Sequence, residues 1–515
     1  MQPVASSVAM QLPDVISNVR LRLGSKTKFK HNSKYTHLFI LICGFLAVIS
    51  IQNTLIYQKW RWAVGVAEKT HMFVVAAFYY NESKSLPPNT IAVIYSARKN
   101  ALDFPITCIS RNEFNQEKRV PARTDMALVA PLQCRWTTMV ALCPVTRNPS
   151  YFALEGDSGV REELPFQPAD KQKRNFIVCM SRMFMFENWQ LFITSIELYR
   201  YYGADLMVTY IESALSDIYR ILLAYEREGF VKIRKATRLF QPPDLDYDPN
   251  SENEWYNQDF SYNSCLYEFK ESAEFMMIAD WDDVLIPETH RDYYKEMKWL
   301  SGLYPNTAAF IFQRPQSTVH TSHSPSNFDM IGTIDNIEVD DSNIQTGKFV
   351  GRPDQVDGIW LHAPSRTRPE YDVIKLGGHF SRVYHFRQWG FDETNMTLAN
   401  RTFVANGKKL DLQFVSFLKR NNLTHVFQNL PSKFHYYNEL VKCYHRFASL
   451  LEKHSFGCPS LPKCELKPVS NLECTILKQN YKSTALLNGF YIHHSDLNIL
   501  DANRDGCALK DNHYG

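Results

Sequence analysis

Hydrophobic and polar positions change register several times along this chain, and each register predicts a different element. Leu38 to Ile51 is uninterruptedly apolar; Gln52, Asn53 and Thr54 dilute it before Leu55, Ile56 and Tyr57 resume it. About 20 residues cross a bilayer, so 37–57 is predicted to be one transmembrane helix. From 71 to 145, short β-rich runs alternate with turn signals, with the clearest strands at Met72–Phe78 and Ile91–Tyr95. A new pattern starts at Asn175. Phe176-Ile177-Val178-Cys179 reads as a buried strand, and Phe192, Ile196 and Tyr199 give Trp189–Tyr202 a helical face that Gly203 ends. Leu206–Tyr210 is the next strand. Ser213 or Ser216 can cap a helix carrying Ile218, Ile221, Leu222 and Tyr225, closed by Gly229, and Phe230–Ile233 begins a third strand. A helix is expected around Asn263–Glu274, then the strand Phe275–Ala279.

This β-α-β-α-β order predicts an α/β fold with a parallel, doubly wound sheet. The strand at 275–279 stops in Asp280-Trp281-Asp282-Asp283. Carboxylates at the end of a buried strand project into the crevice beyond its carboxyl edge, where open α/β sheets bind ligands. Their oxygens suit Mg²⁺ or Mn²⁺, and such a cation neutralises a diphosphate. A second acidic run, Asp244-Leu245-Asp246-Tyr247-Asp248, follows Gln241-Pro242-Pro243 and precedes Pro249, so it reads as a solvated loop.

Charge and cysteine usage add a compartment. Arg20, Arg22, Lys26, Lys28, Lys30 and Lys34 precede the apolar run; Lys59, Arg61 and Lys69 follow it. The positive-inside bias puts residues 1–36 in the cytosol and everything beyond about 58 in the lumen, as in a single-pass type II protein of the Golgi or ER. A cleaved signal peptide fits less well, because the leader is long and no small-residue cleavage site follows. Ten of 11 cysteines lie beyond the span, which in an oxidising compartment suggests disulfides. Glycosylation acceptors at Asn81, Asn395, Asn400 and Asn422 fall on the same side. With 57 basic against 54 acidic residues the net charge is +3, and six of the basic ones are in the tail, which excludes nucleic acid as the expected partner.

Several blocks taken together carry a resemblance. They are Phe176-Ile177-Val178-Cys179, the run Ile196 to Ala204, Asn263-Ser264-Cys265-Leu266, Ala279 to Pro287, and Val383-Tyr384-His385-Phe386-Arg387. From Asn175 to about Asn429 the chain resembles glycosyltransferase family 92. Trp281 and Asp283 depart from that family's acidic motif, which has an aliphatic residue and a final Glu there. The resemblance implies a GT-A-like doubly wound mixed sheet at 175–430. It would follow a stem and small β-rich lumenal domain at 58–174 and precede a cysteine-rich extension at 431–515. It also implies a metal-dependent transferase that moves a hexose, galactose first, from a UDP-sugar to a glycan or glycoprotein.

Residue roles follow from the resemblance. Asp282 is expected to hold the metal and Asp280 to contact the nucleotide or support the metal, with Asp283 behind them. His385 and His362 are further candidate ligands, Arg387 a candidate clamp on phosphate, and His379 a weaker one. An inverting transfer needs a carboxylate base within reach of the acceptor hydroxyl. Asp392 and Glu393 come first by sequence, then Glu370 and Asp372. Trp389 reads equally as a sugar-stacking wall or as core. Two other functions fit paired carboxylates less well: a non-catalytic lumenal glycan-binding protein, and a glycoside hydrolase. Finally, Asp501-Ala502-Asn503-Arg504-Asp505-Gly506 matches the opening of a calcium loop, but Asn512 stands where a bidentate Glu is needed, so an Asx-rich turn is expected.

Overall fold

Local sequence sets the first half of the sheet that bears the acidic motif. In the computed structural model, β1 (Arg174–Met183) is followed by α1 (Trp189–Tyr201), β2 (Leu206–Ile211), α2 (Ser216–Arg227) and β3 (Val231–Lys235). Residues 69–128, 134–255, 257–391, 405–452, 458, 466–487 and 489–508 are described; the expected tail and the 37–57 span lie outside them. Among the described residues no helix is long and apolar enough to cross a membrane.

Asn188 starts α1, its side chain accepting from Leu191 N at 3.0 Å. Gly203 and Gly229 end α1 and α2 with φ of +85° and +80°. The chain then closes on itself, Ala204 N donating to Tyr199 O and Phe230 N to Tyr225 O, each at 3.0 Å. The start of α2 differs from expectation. Leu215 is its N-cap, without a side-chain bond, because Ser213–Leu215 is drawn into a strand of a second sheet. Ser213 Oγ accepts instead from Met185 N at 2.8 Å.

The helix expected at 263–274 is α3 (Gln258–Phe269), five residues earlier. Pairing with β1 is the reason: Ala273 lies opposite Arg174, so the backbone is already extended where helix was expected, in β4 (Ala273–Ala279). The disulfide Cys179–Cys265 ties α3 to β1.

The rest of the sheet is mixed. It contains β5 (Asp283–Ile286), β6 (Thr307–Thr321), β7 (Ile337–Gly351), β8 (Asp372–Lys375) and β9 (Arg382–Phe391). Its order is β3-β2-β1-β4-β7-β6-β9-β5, with β8 beside β6. β3, β2, β1 and β4 are parallel, whereas β7 is antiparallel to β4 and to β6. The chain thus moves outward from β1 to β3 and returns to the other edge of β1. The strand order reverses between β1 and β4, and the crevice at their carboxyl ends is where such sheets take ligands. α1 buries Phe192, Ile193, Ile196 and Tyr199 on one face of the sheet, while α3 covers Ile177, Met276 and Ile278 on the other. Each such side chain contributes roughly 1.5–3 kcal/mol by leaving water.

An eight-stranded sheet packs nearby. The expected strands appear as Thr70–Tyr80 and Thr90–Arg98. The C-terminal hairpin Cys474–Leu487 and Phe490–Asn503 joins the same sheet, with Phe490 to His494 parallel to Thr70 to Val74. Cys108–Cys143, Cys134–Cys458 and Cys474–Cys507 are disulfides. Of the residues read as a calcium-loop opening, Asp501, Ala502 and Asn503 belong to this hairpin. Asp501 is in strand, paired with Lys478 at 2.5 Å.

Candidate active site at the carboxyl edge of the sheet

The acidic motif is placed by main-chain pairing on both sides. Register brings Ala279 level with Met180 of β1, so Asp280 leaves the sheet at the switch point. Asp283 N donates to Asp280 O at 3.0 Å, closing a tight turn into β5. β5 then pairs antiparallel with β9, Asp283 opposite His385, and Phe386 N donates to Asp282 O at 2.7 Å. Successive strand residues alternate in direction, so His385 and Arg387 share a face. His385 Nε2 lies 3.1 Å from Asp282 Oδ2, and Arg387 Nη1 lies 3.7 Å from the same oxygen.

Asp280, Asp282, Arg314, His362, His385 and Arg387 line one side of an open cavity of about 470 Å³. Ser181, Phe184, Phe186, Trp255 and Tyr444 line much of the remainder. Arg387 also lies over the Tyr444 ring, 4.1 Å from its centre. Trp281 also borders the cavity but is mostly packed away. Its side chain is 4% exposed and packs on Phe192 and Phe186 at centroid distances of 5.6 and 5.5 Å.

Two buried cations that the sequence reading did not single out complete the site. Lys348 of β7 is 2.7 Å from Asp280 Oδ2 and 3.5 Å from Asp283 Oδ2, and Arg314 Nε of β6 donates to Asp283 Oδ1 at 2.5 Å. A charged residue inside an apolar strand, as in Gly347-Lys348-Phe349-Val350, was the available signal, since such a charge needs a buried partner. Three carboxylates therefore face three permanent cations. Burial pushes the Asp282 carboxyl up, but His385, Arg314 and Arg387 outweigh it and hold Asp282 well below the usual carboxylate range. The His362 imidazole is held down at about 3, first by burial and then by Lys348 and Arg314. Its Nδ1 lies 2.9 Å from Gly347 O.

Asp282, Asp283 and His385 bring donor atoms within 4.8 Å of one another. The 3.1 Å between His385 Nε2 and Asp282 Oδ2 is close to the edge of an octahedron with bonds near ~2.1 Å, about 3.0 Å. The N/O donor set suits Mn²⁺ or Mg²⁺, so a hard divalent cation fits this pair.

Other expected residues are not brought here. Glu370, Asp372 and His379 are exposed and absent from the cavity lining. Asp372 pairs with Thr307 on β6, nine positions before Gln316, which pairs with His385. At ~3.3 Å per residue that is roughly 30 Å from the site, so neither Glu370 nor Asp372 is placed to act as base. Asp392 and Glu393 lie outside the described residues. Trp389 packs against the core, its Nε1 donating to Phe386 O at 3.0 Å. The Asp244–Asp248 segment is a loop outside the cavity, exposed at Asp244 and Asp246 but not fully solvated, because Leu245 is buried and Asp244 Oδ2 lies 3.1 Å from His71 Nε2.

Residues 174–434 match the family model of glycosyltransferase family 92. The chain is 24% identical over 505 residues to the Caenorhabditis elegans glycosyltransferase family 92 protein F59C6.8, covering 92% of this chain and 96% of that one. It is 25% identical over 465 residues to F13G3.3 of the same organism and family, covering 85% and 90%. Among solved structures, S. aureus TarS 1-349 in complex with UDP aligns at a TM-score of 0.20 and 9% identity, over 54% of this chain and 72% of that one. A UDP-glucose pyrophosphorylase complexed with UDP-glucose aligns at 0.19 and 9%, over 42% and 91%. Likenesses this slight assign neither fold nor ligand.

Proposed function

This chain belongs to glycosyltransferase family 92, and on that premise we propose that it transfers a hexose, galactose first, from a UDP-sugar to a glycan acceptor. The observation that carries this reading is the Asp282 carboxylate, turned into the cavity at the strand-order switch point and flanked by His385 and Arg387. We assign the fold to the GT-A type on the parallel β3-β2-β1-β4 order.

Asp282 and His385 would hold Mn²⁺ or Mg²⁺, which when bound supplies positive charge against the leaving diphosphate. Arg387 offers guanidinium donors to phosphate oxygens, and stacking on Tyr444 keeps its plane fixed. Arg314, buried against Asp283, adds positive charge to the same wall. Asp280 is itself fixed, accepting from Tyr262 OH at 2.7 Å and from Gln258 Nε2, and is proposed to orient the nucleotide. The transfer is proposed to invert. The base then takes the proton of the acceptor hydroxyl, and the new glycosidic bond forms as the bond to UDP breaks. Asp392 and Glu393 follow directly on β9, the strand that carries His385 and Arg387, and are the proposed bases. The 37–57 span and the four glycosylation acceptors support a Golgi or ER lumenal body on a membrane anchor.

Incubating the full chain with a panel of UDP-hexoses, Mn²⁺ and an N-glycan mixture tests the reading by mass spectrometry of the glycans. Addition of one hexose from a single donor supports it. UDP-sugar binding without any product would favour a glycan-binding protein.

A further inference from the structure

Lys348 divides the acidic motif into two unlike parts. Its ammonium is fully buried and meets three acceptors: Asp280 Oδ2 at 2.7 Å, Leu361 O at 3.0 Å and Asp283 Oδ2 at 3.5 Å. Two of its three N–H donors go to Asp280 and Leu361 O, and Asp283 is held as an ion pair. The two carboxylates are committed in turn. Asp280 Oδ1 accepts from Tyr262 OH and Gln258 Nε2. Asp283 Oδ1 accepts from Arg314 Nε, and its Oδ2 from Asp280 N at 3.2 Å. Asp282 borders the cavity as Asp280 does, but it differs in its partners: its close contacts, His385 and Arg387, both fall on Oδ2.

Resting on the transferase reading, we propose that Lys348 withholds Asp280 and Asp283 from a divalent cation. Asp282 and His385 are then the protein's whole share of the cation site. The affinity of hard cations rises with the number of charged oxygen ligands, and a site with one carboxylate holds them loosely. Lys348, Arg314 and Arg387 add repulsion until a diphosphate brings negative charge and further oxygens. The cation therefore binds firmly only together with the donor, and Lys348 is a positioning residue that enforces this order. Although Asp283 lies near enough to count as a third ligand, its oxygens are occupied by Arg314, Lys348 and a main-chain N–H.

Mn²⁺ titration of the full chain, read by the electron paramagnetic resonance signal of free Mn²⁺, tests this with and without UDP. For the parent, UDP should tighten Mn²⁺ by at least about tenfold, inside the ~5–150-fold range of couplings between sites. K348M keeps the length of the side chain but frees Asp280 Oδ2 and removes the cation beside Asp283 Oδ2. It should bind Mn²⁺ at least about tenfold tighter without UDP, and the effect of UDP should shrink. Unchanged UDP-free affinity in K348M would overturn the proposal. Should K348M not fold, by circular dichroism, D280N and D282N decide. Without UDP, D280N should lose much less Mn²⁺ affinity than D282N, which should lose it. Equal loss in both overturns the proposal. The UDP-free arm stands apart from the transferase reading, which alone fails if UDP binds none of these proteins while K348M still gains Mn²⁺.

Discussion

His385 Nε2 and Asp282 Oδ2 lie 3.1 Å apart although 103 positions separate them in sequence. The contact is set by strands rather than by a flexible loop: Asp283 pairs with His385, and Phe386 N holds Asp282 O. A site fixed by a hydrogen-bonded ladder is held closely without the cost of ordering a loop at each turnover.

Replacing Arg387 or His385 should weaken UDP binding as well as turnover. A charge-assisted contact contributes roughly 1.5–3 kcal/mol, so affinity for UDP should fall between about tenfold and a hundredfold in Arg387→Ala. Arg387→Lys should fall between parent and Ala, since it keeps charge but loses the flat stack on Tyr444. Calorimetric titration with UDP and Mn²⁺ measures all three. Parent-like UDP binding in Arg387→Ala and His385→Ala would make this strand structural.

Trp281 should matter to stability more than to donor choice, although it borders the cavity. Its ring is buried on Phe192 and Phe186, and Ser195 Oγ donates to its carbonyl at 2.7 Å. Trp281→Ala should cost about 3–5 kcal/mol of folding stability, and Trp281→Phe much less. Chemical denaturation reports the loss; an altered UDP-sugar preference at unchanged stability would contradict it.

Much of this was legible in the sequence for physical reasons. The order β1-α1-β2-α2-β3 announces itself through local periods, and Gly203 and Gly229 mark helix ends that need positive φ. Asp280 to Asp283 stand out because charges ending an apolar strand must face something other than core. Lys348 and Arg314 did not stand out, because their partners come from strands that no local pattern pairs with β7 or β6. The union of Phe490–Asn503 with Thr70–Tyr80 is equally invisible locally, since two β-rich runs far apart carry no mark of their register. The start of α2 misled for a related reason: Ser213 was claimed by a strand of the other sheet.

Glu254 should make the protein more stable in mild acid. Burial, with a smaller push from Asp259, raises its carboxyl from 4.5 to about 7, against a bond from Trp360 Nε1 at 2.9 Å. The folded state favours the protonated acid. Its stabilising contribution is full below the unfolded value near 4.5 and is lost as pH rises through about 7. Asp259, raised to about 6 by burial, has the same sign. Glu254→Gln should therefore be more stable than the parent at pH 8, by on the order of 2–3 kcal/mol, and close to it near pH 4.5. Thermal melts across this range check it; equal melting temperatures at pH 8 would contradict it.

Asp392→Asn and Glu393→Gln separate base from binder. A base acts in the transition state, so kcat should collapse in one of the two while UDP affinity stays within about twofold. Initial rates paired with UDP titrations decide. Parent-like kcat in both would send the search for the base to other residues.

The central claim is that the Asp282 carboxylate serves nucleotide-sugar transfer. Asp282→Asn keeps the shape of the side chain and removes its charge. Initial rates of UDP release from the transferred UDP-hexose, with Mn²⁺ and a glycan acceptor, should fall by at least about a hundredfold against the parent. The circular dichroism spectrum should be unchanged. A folded Asp282→Asn protein that releases UDP within about threefold of the parent rate would contradict the account.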